Sequence, residues 1–314
     1  MTLTTTPGES RPVGLESIDP VQAESGILSR RAGTPQSEAH RRWRRFRAYR
    51  PAVFALAFIV LLFVMAIFAP LVAPHDPYDT NARLRGDGPT RDYLLGNDAT
   101  GRDILSRLIY GTRIALSVGL GATAIAVTIG VIVGASAGYF GGWVDLLLSR
   151  IVDTLMAFPT IALLLVLAAV LNPGIPLVIV IIGLSVWASY ARVVRAEVLS
   201  LKERDYVLAA RASGATSSRI ITRHIIPNVI GVVIVLASLA VGGVIIYESA
   251  LSFLGLGVQP PGASWGRMLA DGRDYIRNYP HIMIAPGILI TLTVLAFNLL
   301  GEGLRDAFDP RGRR

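Results

Sequence analysis

Cysteine is absent from the chain, which excludes disulfide staples, thiolate zinc sites and a cysteine nucleophile. Lysine is almost absent: Lys202 stands alone. A phosphate-cradling loop needs Gly-x-x-x-x-Gly-Lys-Ser/Thr, whereas Ser200-Leu201 precede Lys202. No nucleotide site of that kind is present, and ATP-linked work would fall to a partner. The four histidines, His40, His75, His224 and His281, are scattered, so no metal site and no metal cofactor is read. An intramembrane hydrolase would need a Ser/Lys pair, paired aspartates or a metal cluster, and none appears. No catalytic residue is assigned, and the chain is not read as an enzyme. Charge is scarce too, at 17% of residues, against about a quarter in soluble domains.

What fills the chain is apolar. Hydrophobic residues make up 52% of it and the mean hydropathy is +0.53. They fall in blocks of the about 20 residues that cross a hydrocarbon core as helix, at roughly 51–72, 114–139, 144–171, 175–194, 227–253 and 281–300. Pro159 predicts a kink in the third, Asn172-Pro173-Gly174 a turn, and Gly130 with Gly134 a close helix contact through small-xxx-small spacing. No segment alternates as a strand. The fold class expected is an all-α integral membrane protein with six transmembrane helices. Its parts are a tail and basic segment over 1–50, a first helix over 51–73, a polar segment over 74–111, and a five-helix core over 112–303. The core contains a loop at 196–226 and a polar segment at 255–280, and a tail follows at 304–314.

Residues 1–40 read as a disordered tail, with no secretory signal at the start. Arg41 to Arg50 interleaves arginines with Trp43, Phe46 and Tyr49 immediately before the first span, the pattern of an interfacial anchor on anionic membrane lipid. The net charge of +8 is therefore assigned to membrane rather than nucleic acid. With the N-terminus inside, eighteen Lys and Arg residues flank the spans on the inner side and eight on the outer, which predicts both termini in the cytoplasm.

The segment from Asp205 to Pro227 carries the sharpest pattern. Ala209, Ala210 and Ala212 favour a short helix, Gly214 suits the left-handed position after it, Thr216 or Ser217 can cap a second helix, and Pro227 fits the first turn of the fifth span. Spans on both sides argue against a DNA-reading helix-turn-helix. This segment resembles the "EAA" loop of ABC-importer permeases: Glu-Ala-Ala, three residues, Gly, nine residues, Ile-x-Leu-Pro. Here Leu208-Ala209-Ala210, Gly214 and His224-Ile225-Ile226-Pro227 keep the spacing, with Leu208 in place of Glu, His224 in place of Ile and Ile226 in place of Leu. Leu95 to Arg113, Asp153 with Phe158-Pro159, and Glu248 to Pro261 are similar to segments of the C-type permease of dipeptide and oligopeptide importers. The resemblance covers about residues 45–310.

The resemblance implies a type I ABC importer permease fold in a bacterial inner membrane. It implies a homologous second permease as heterodimer partner, two cytoplasmic subunits that bind ATP and Mg, and an extracytoplasmic substrate-binding protein. It also implies coupling to the ATPases through Asp205, Ala209, Ala210, Gly214, Ala215, Arg219 and Pro227. Cargo would be dipeptides or oligopeptides, with nickel chelates, glutathione or sugars as alternatives. Intramembrane polar residues are expensive and usually functional, which makes Glu248, Tyr247 and Asn298 the candidates for the substrate pathway. Arg150 and Asp153, three apart on one helix, predict an ion pair. The segments 75–110 and 255–280, with Trp265, Tyr275 and Tyr279, are expected to dock the binding protein. An ion-driven secondary transporter would instead show inverted repeats and deep acidic sites, and no convincing repeat is found.

Overall fold

The computed structural model describes residues 38–171 and 174–308. The tail expected over 1–40 lies outside these up to residue 37, as do the Asn172-Pro173 part of the expected turn and residues 309–314. The chain divides into two units, Met1–Trp43 and Arg44–Arg314, and the second holds everything below except the start of the first helix. No strand occurs among the described residues.

Helix α1 (Glu38–Ala48) precedes α2 (Arg50–Ile67), which has Pro51 in its first turn. Phe46 is buried against Ala52 and Ala307, and the Tyr49 hydroxyl donates to Glu302 Oε2 at 3.1 Å. The aromatic part of the basic segment is thus partly a tertiary anchor. A single turn, α3 (Ala69–Val72), ends this section. Helix α4 (Ile104–Phe140) has 37 residues and is about 55 Å long by the helical rise. It therefore outreaches a hydrocarbon core of about 30 Å, and its first turns run with the polar segment before it. Helices α7 (Ile175–Leu201), α10 (Ile226–Phe253) and α12 (His281–Phe308) are also long and apolar enough to span. Two of them exceed their expected ends, α7 by seven residues and α12 by eight.

The third span differs from expectation. Instead of one kinked helix there are two, α5 (Gly142–Ala157) and α6 (Thr160–Leu171), set at 82° to each other. Phe158, just before Pro159, takes an extended backbone (φ −88°, ψ 134°). A proline disfavours the α region for its predecessor and supplies no N–H of its own, so the helix stops rather than bends. Five helices can span singly, and the bent pair, counted as one span, brings the number to six among the described residues.

The tightest pairing is α4 with α7, and glycine makes it possible. A Cβ on Gly134 would lie 2.5 Å from the Ala191 carbonyl oxygen, and one on Gly138 would lie 2.9 Å from that of Arg195. Gly130 extends the same row, against Tyr190 and Ala191. Three glycines at four-residue spacing let the two backbones touch, as the sequence suggested for the first two. Apolar clusters then sort by height. Ile104, Leu108, Trp265, Met268 and Ile282 pack at the end of the bundle with the long polar segments. Ala135, Tyr139, Val194, Val198, Val207, Ile220, Ile225 and Val229 pack at the opposite end.

Candidate functional site

At that opposite end, α7 runs out at Leu201 and the chain forms a compact knob. Helix α8 (Asp205–Ala212) ends in a Schellman turn: Gly214 N–H donates to the Arg211 carbonyl at 3.0 Å and Ala215 N–H to that of Ala210 at 3.1 Å. Gly214 sits at φ +80°, the left-handed conformation this motif places after a helix. Thr216 caps the one-turn helix α9 (Ser217–Ile220), its hydroxyl accepting from Arg219 N–H. The next turn, Ile221–Ile225, widens to a π-helix before α10. Pro227, in the first turn of α10, has no N–H to donate back to that turn, which leaves it free to widen.

The knob has two faces. Val207, Ile220 and Ile225 are buried against Tyr139, Val194, Val198 and Val229, which ties it to the ends of α4, α7 and α10. Arg211 lies over the Tyr139 ring, 5.7 Å from its centroid. The other face is open: Asp205, Tyr206, Leu208, Ala209, Gly214 and Arg219 are exposed, and Ala210 and Ala215 are half-buried. A Cβ on Gly214 would meet nothing within 4 Å. Leu208, at the position where the loop pattern has Glu, is 43% exposed.

The three candidate pathway residues do not share one site: Tyr247 and Glu248 are neighbours on α10 whose side chains have different surroundings, and Asn298 is on α12. Glu248 is fully buried and accepts from Ser252 Oγ at 2.7 Å; Ser252 Oγ in turn accepts from Val258 N–H. It fastens the end of α10 to the following loop. Asn298 is exposed on α12. Tyr247 lines a cleft of about 390 Å³ between the break of α5 and α6, α7 and α10. The cleft also carries Thr160, Ser185, Ser189 and Tyr190, and among the described residues no charged side chain lines it. Sequence reasoning missed Tyr190, because neighbouring hydroxyls on α7 and α10 meet only in three dimensions.

The predicted Arg150–Asp153 pair does not form. Asp153 pairs with Arg192 at 2.6 Å, and Arg195 pairs with Asp145 through both carboxylate oxygens. The fork of a guanidinium reaching across from α7 meets a carboxylate better than a neighbour three residues along the same helix. These two pairs clamp α5 to α7.

The two polar segments at the other end form one assembly. Trp265 is fully buried, with Nε1–H donating to the Leu108 carbonyl at 3.0 Å, so it is an internal anchor rather than a surface aromatic. Tyr279 covers Gly86, and Arg85 donates to the Tyr275 hydroxyl at 2.7 Å. Asp98 pairs with Arg102 at 2.7 Å and with Arg107 at 3.3 Å; Asp271, on α11 (Trp265–Gly272), pairs with Arg102, Arg107 and Arg267. Burial alone would raise the Asp98 carboxyl. The charges of Arg107 and Arg102, with hydrogen bonds from Thr100, outweigh it and hold Asp98 below the usual carboxylate range.

Residues 126–314 match the family model described as "binding-protein-dependent transport system inner membrane component", and residues 37–89 match that of the N-terminal TM domain of oligopeptide transport permease C. The chain is 40% identical to the dipeptide transport system permease protein of Alkalihalophilus pseudofirmus, over 89% of this chain and 91% of the relative. It is 42% identical to the glutathione transport system permease protein of Pectobacterium atrosepticum, over 86% and 90%. The fold is similar to that of the methionine ABC transporter MetNI in inward-facing conformations, with TM-score 0.51, 20% identity, and coverage of 64% of this chain and 96% of that one.

Proposed function

The chain belongs to the family of binding-protein-dependent transport system inner membrane components, the multi-pass permease subunits of ABC importers, and from that premise we propose that it forms half of the pathway of a peptide importer driven through the knob at residues 205–227. Curated relatives named for dipeptide and glutathione transport favour short peptides as cargo. The proposed assembly has a homologous permease beside this one, two ATP-binding subunits below it and a substrate-binding protein outside. The arginine excess near the spans favours both termini, and the knob, on the cytoplasmic side.

The observation that carries the reading is the two-faced construction of the knob. Its buried face joins α4, α7 and α10, so a push on its exposed face moves three spans at once. Asp205, Leu208, Ala209, Gly214 and Arg219 would meet a socket on the ATPase, while Ala210, Ala215 and Pro227 set the turn geometry. ATP and Mg, bound by the partners, supply the closing motion; this chain converts it into a change of access. The uncharged cleft at Tyr190 and Tyr247 suits a zwitterionic peptide whose ends would be repelled or trapped by fixed charge, and we assign it to the pathway.

Gly214 provides the test. Proline cannot adopt its φ of +80°, and Asp there adds a charge to the surface offered to the socket. Gly214→Pro and Gly214→Asp should yield subunits that insert and copurify with their partners but show ATP hydrolysis uncoupled from uptake in proteoliposomes. Normal uptake in both variants would remove the knob from the mechanism.

A further inference from the structure

The two polar segments enclose a pocket of about 370 Å³, with Arg85, Arg102, Arg107 and Arg267 on its walls beside Thr100, Tyr275 and the Pro260–Gly262 loop. Among the described residues, Asp271 is the only carboxylate on those walls. Asp98, behind them, adds a second partner, so four guanidiniums face two carboxylates. The excess positive charge is carried by Arg85, which is exposed at the rim, while Arg107, at 1% exposed, pairs with both carboxylates and still has an Nε with no hydrogen-bond partner among the described residues. A network built only to staple two segments would match its charges, because a buried donor left without a partner is destabilising.

We propose that this pocket receives an acidic side chain presented by the extracytoplasmic substrate-binding protein. The inference rests on the importer reading above, which places the pocket outside the membrane. It shares no lining residue with the uncharged cleft, so it stands off the pathway proposed for cargo and suits a docking contact. Arg85 and Arg267 form the reachable rim: Arg85 is exposed, held by the Tyr275 hydroxyl and ring, and the Arg267 side chain is 27% exposed. Arg102 and Arg107 form the deeper wall, at 14% and 1%. A carboxylate entering between them would meet planar guanidinium donors in the arrangement that binds carboxylates best.

The experiment measures docking of the loaded binding protein of the same transport system on the assembled transporter in nanodiscs, across a salt series. Arg85→Glu with Arg267→Glu should weaken docking by about ten-fold or more and flatten its salt dependence, and Arg85→Lys with Arg267→Lys should restore most of it. Assembly with the partner subunits, checked by copurification, reports whether the double variant folds; if it does not assemble, Arg85→Glu alone, which leaves every ion pair of the network in place, is measured instead. Unchanged affinity and salt slope in an assembled variant would overturn the proposal. So would intact docking combined with a loss of competition by free dipeptide at the pocket, which would assign it to cargo. Failure of ATP-dependent uptake in the wild-type complex would instead remove the importer reading itself.

Discussion

Asp98 has one carboxylate to neutralise two guanidiniums, and its surroundings fix when that carboxylate is charged. The group accepts from Thr100 and Arg102 and is 3% exposed. Its folded pKa lies below the unfolded value of about 3.9. Stability from this pairing is therefore fully present above about pH 4 and is lost only as pH falls through the lower, folded value. Amide exchange over residues 95–107, corrected for intrinsic rates, should show constant protection from pH 8 down to pH 5. Asp98→Asn should raise exchange there at every pH in that range, because removing one partner of a buried pair is destabilising by about 3–5 kcal/mol. Protection that falls between pH 8 and pH 5 would contradict the assignment. At the same scale, Leu208 puts an exposed apolar side chain where the loop pattern has a carboxylate; in the coupling reading proposed above, a socket would grip here by packing rather than by an ion pair.

The glycine row on α4 decides how closely two spans approach. With the Ala191 carbonyl oxygen 2.5 Å from a Cβ at Gly134, even alanine forces backbone to move, and Gly134→Leu should lower stability by about 1–3 kcal/mol. Gly243 on α10 is the contrast, with nothing within 4 Å of its Cβ; Gly243→Ala should be neutral or slightly stabilising. Thermal unfolding of the purified subunit in detergent checks both, and equal behaviour of the two would contradict close α4–α7 packing. Elements like this row were legible because their signal is local: small residues at fixed spacing, a glycine after a helix, Thr216 before one, Pro227 at a start. The break at Phe158-Pro159 was legible as a proline and not as 82°, since the angle depends on what the halves pack against. Trp265 reads as a surface aromatic until Leu108, 157 residues away, appears beside it. Arg192 and Arg195 displaced Arg150 for the same reason: the better partner was distant in sequence.

Over the whole molecule, the helices divide the labour by height. A basic, aromatic-walled assembly of two polar segments sits at one end, an uncharged cleft beside the broken third span lies between α7 and α10, and the anchored knob stands at the other. Helices α7 and α10 run from the knob to the walls of the cleft, so in the proposed reading motion at the knob reaches the cleft through continuous helix. In the reading proposed above, partners supply the energy and this subunit supplies the path. The most direct test is uptake of a labelled dipeptide into proteoliposomes holding the complete complex, with ATP trapped on the side of the ATPases. Uptake should require ATP, the binding protein and both permeases together, and should persist when ion gradients are collapsed. Uptake by this chain alone, driven by a proton or sodium gradient and indifferent to ATP, would contradict the account.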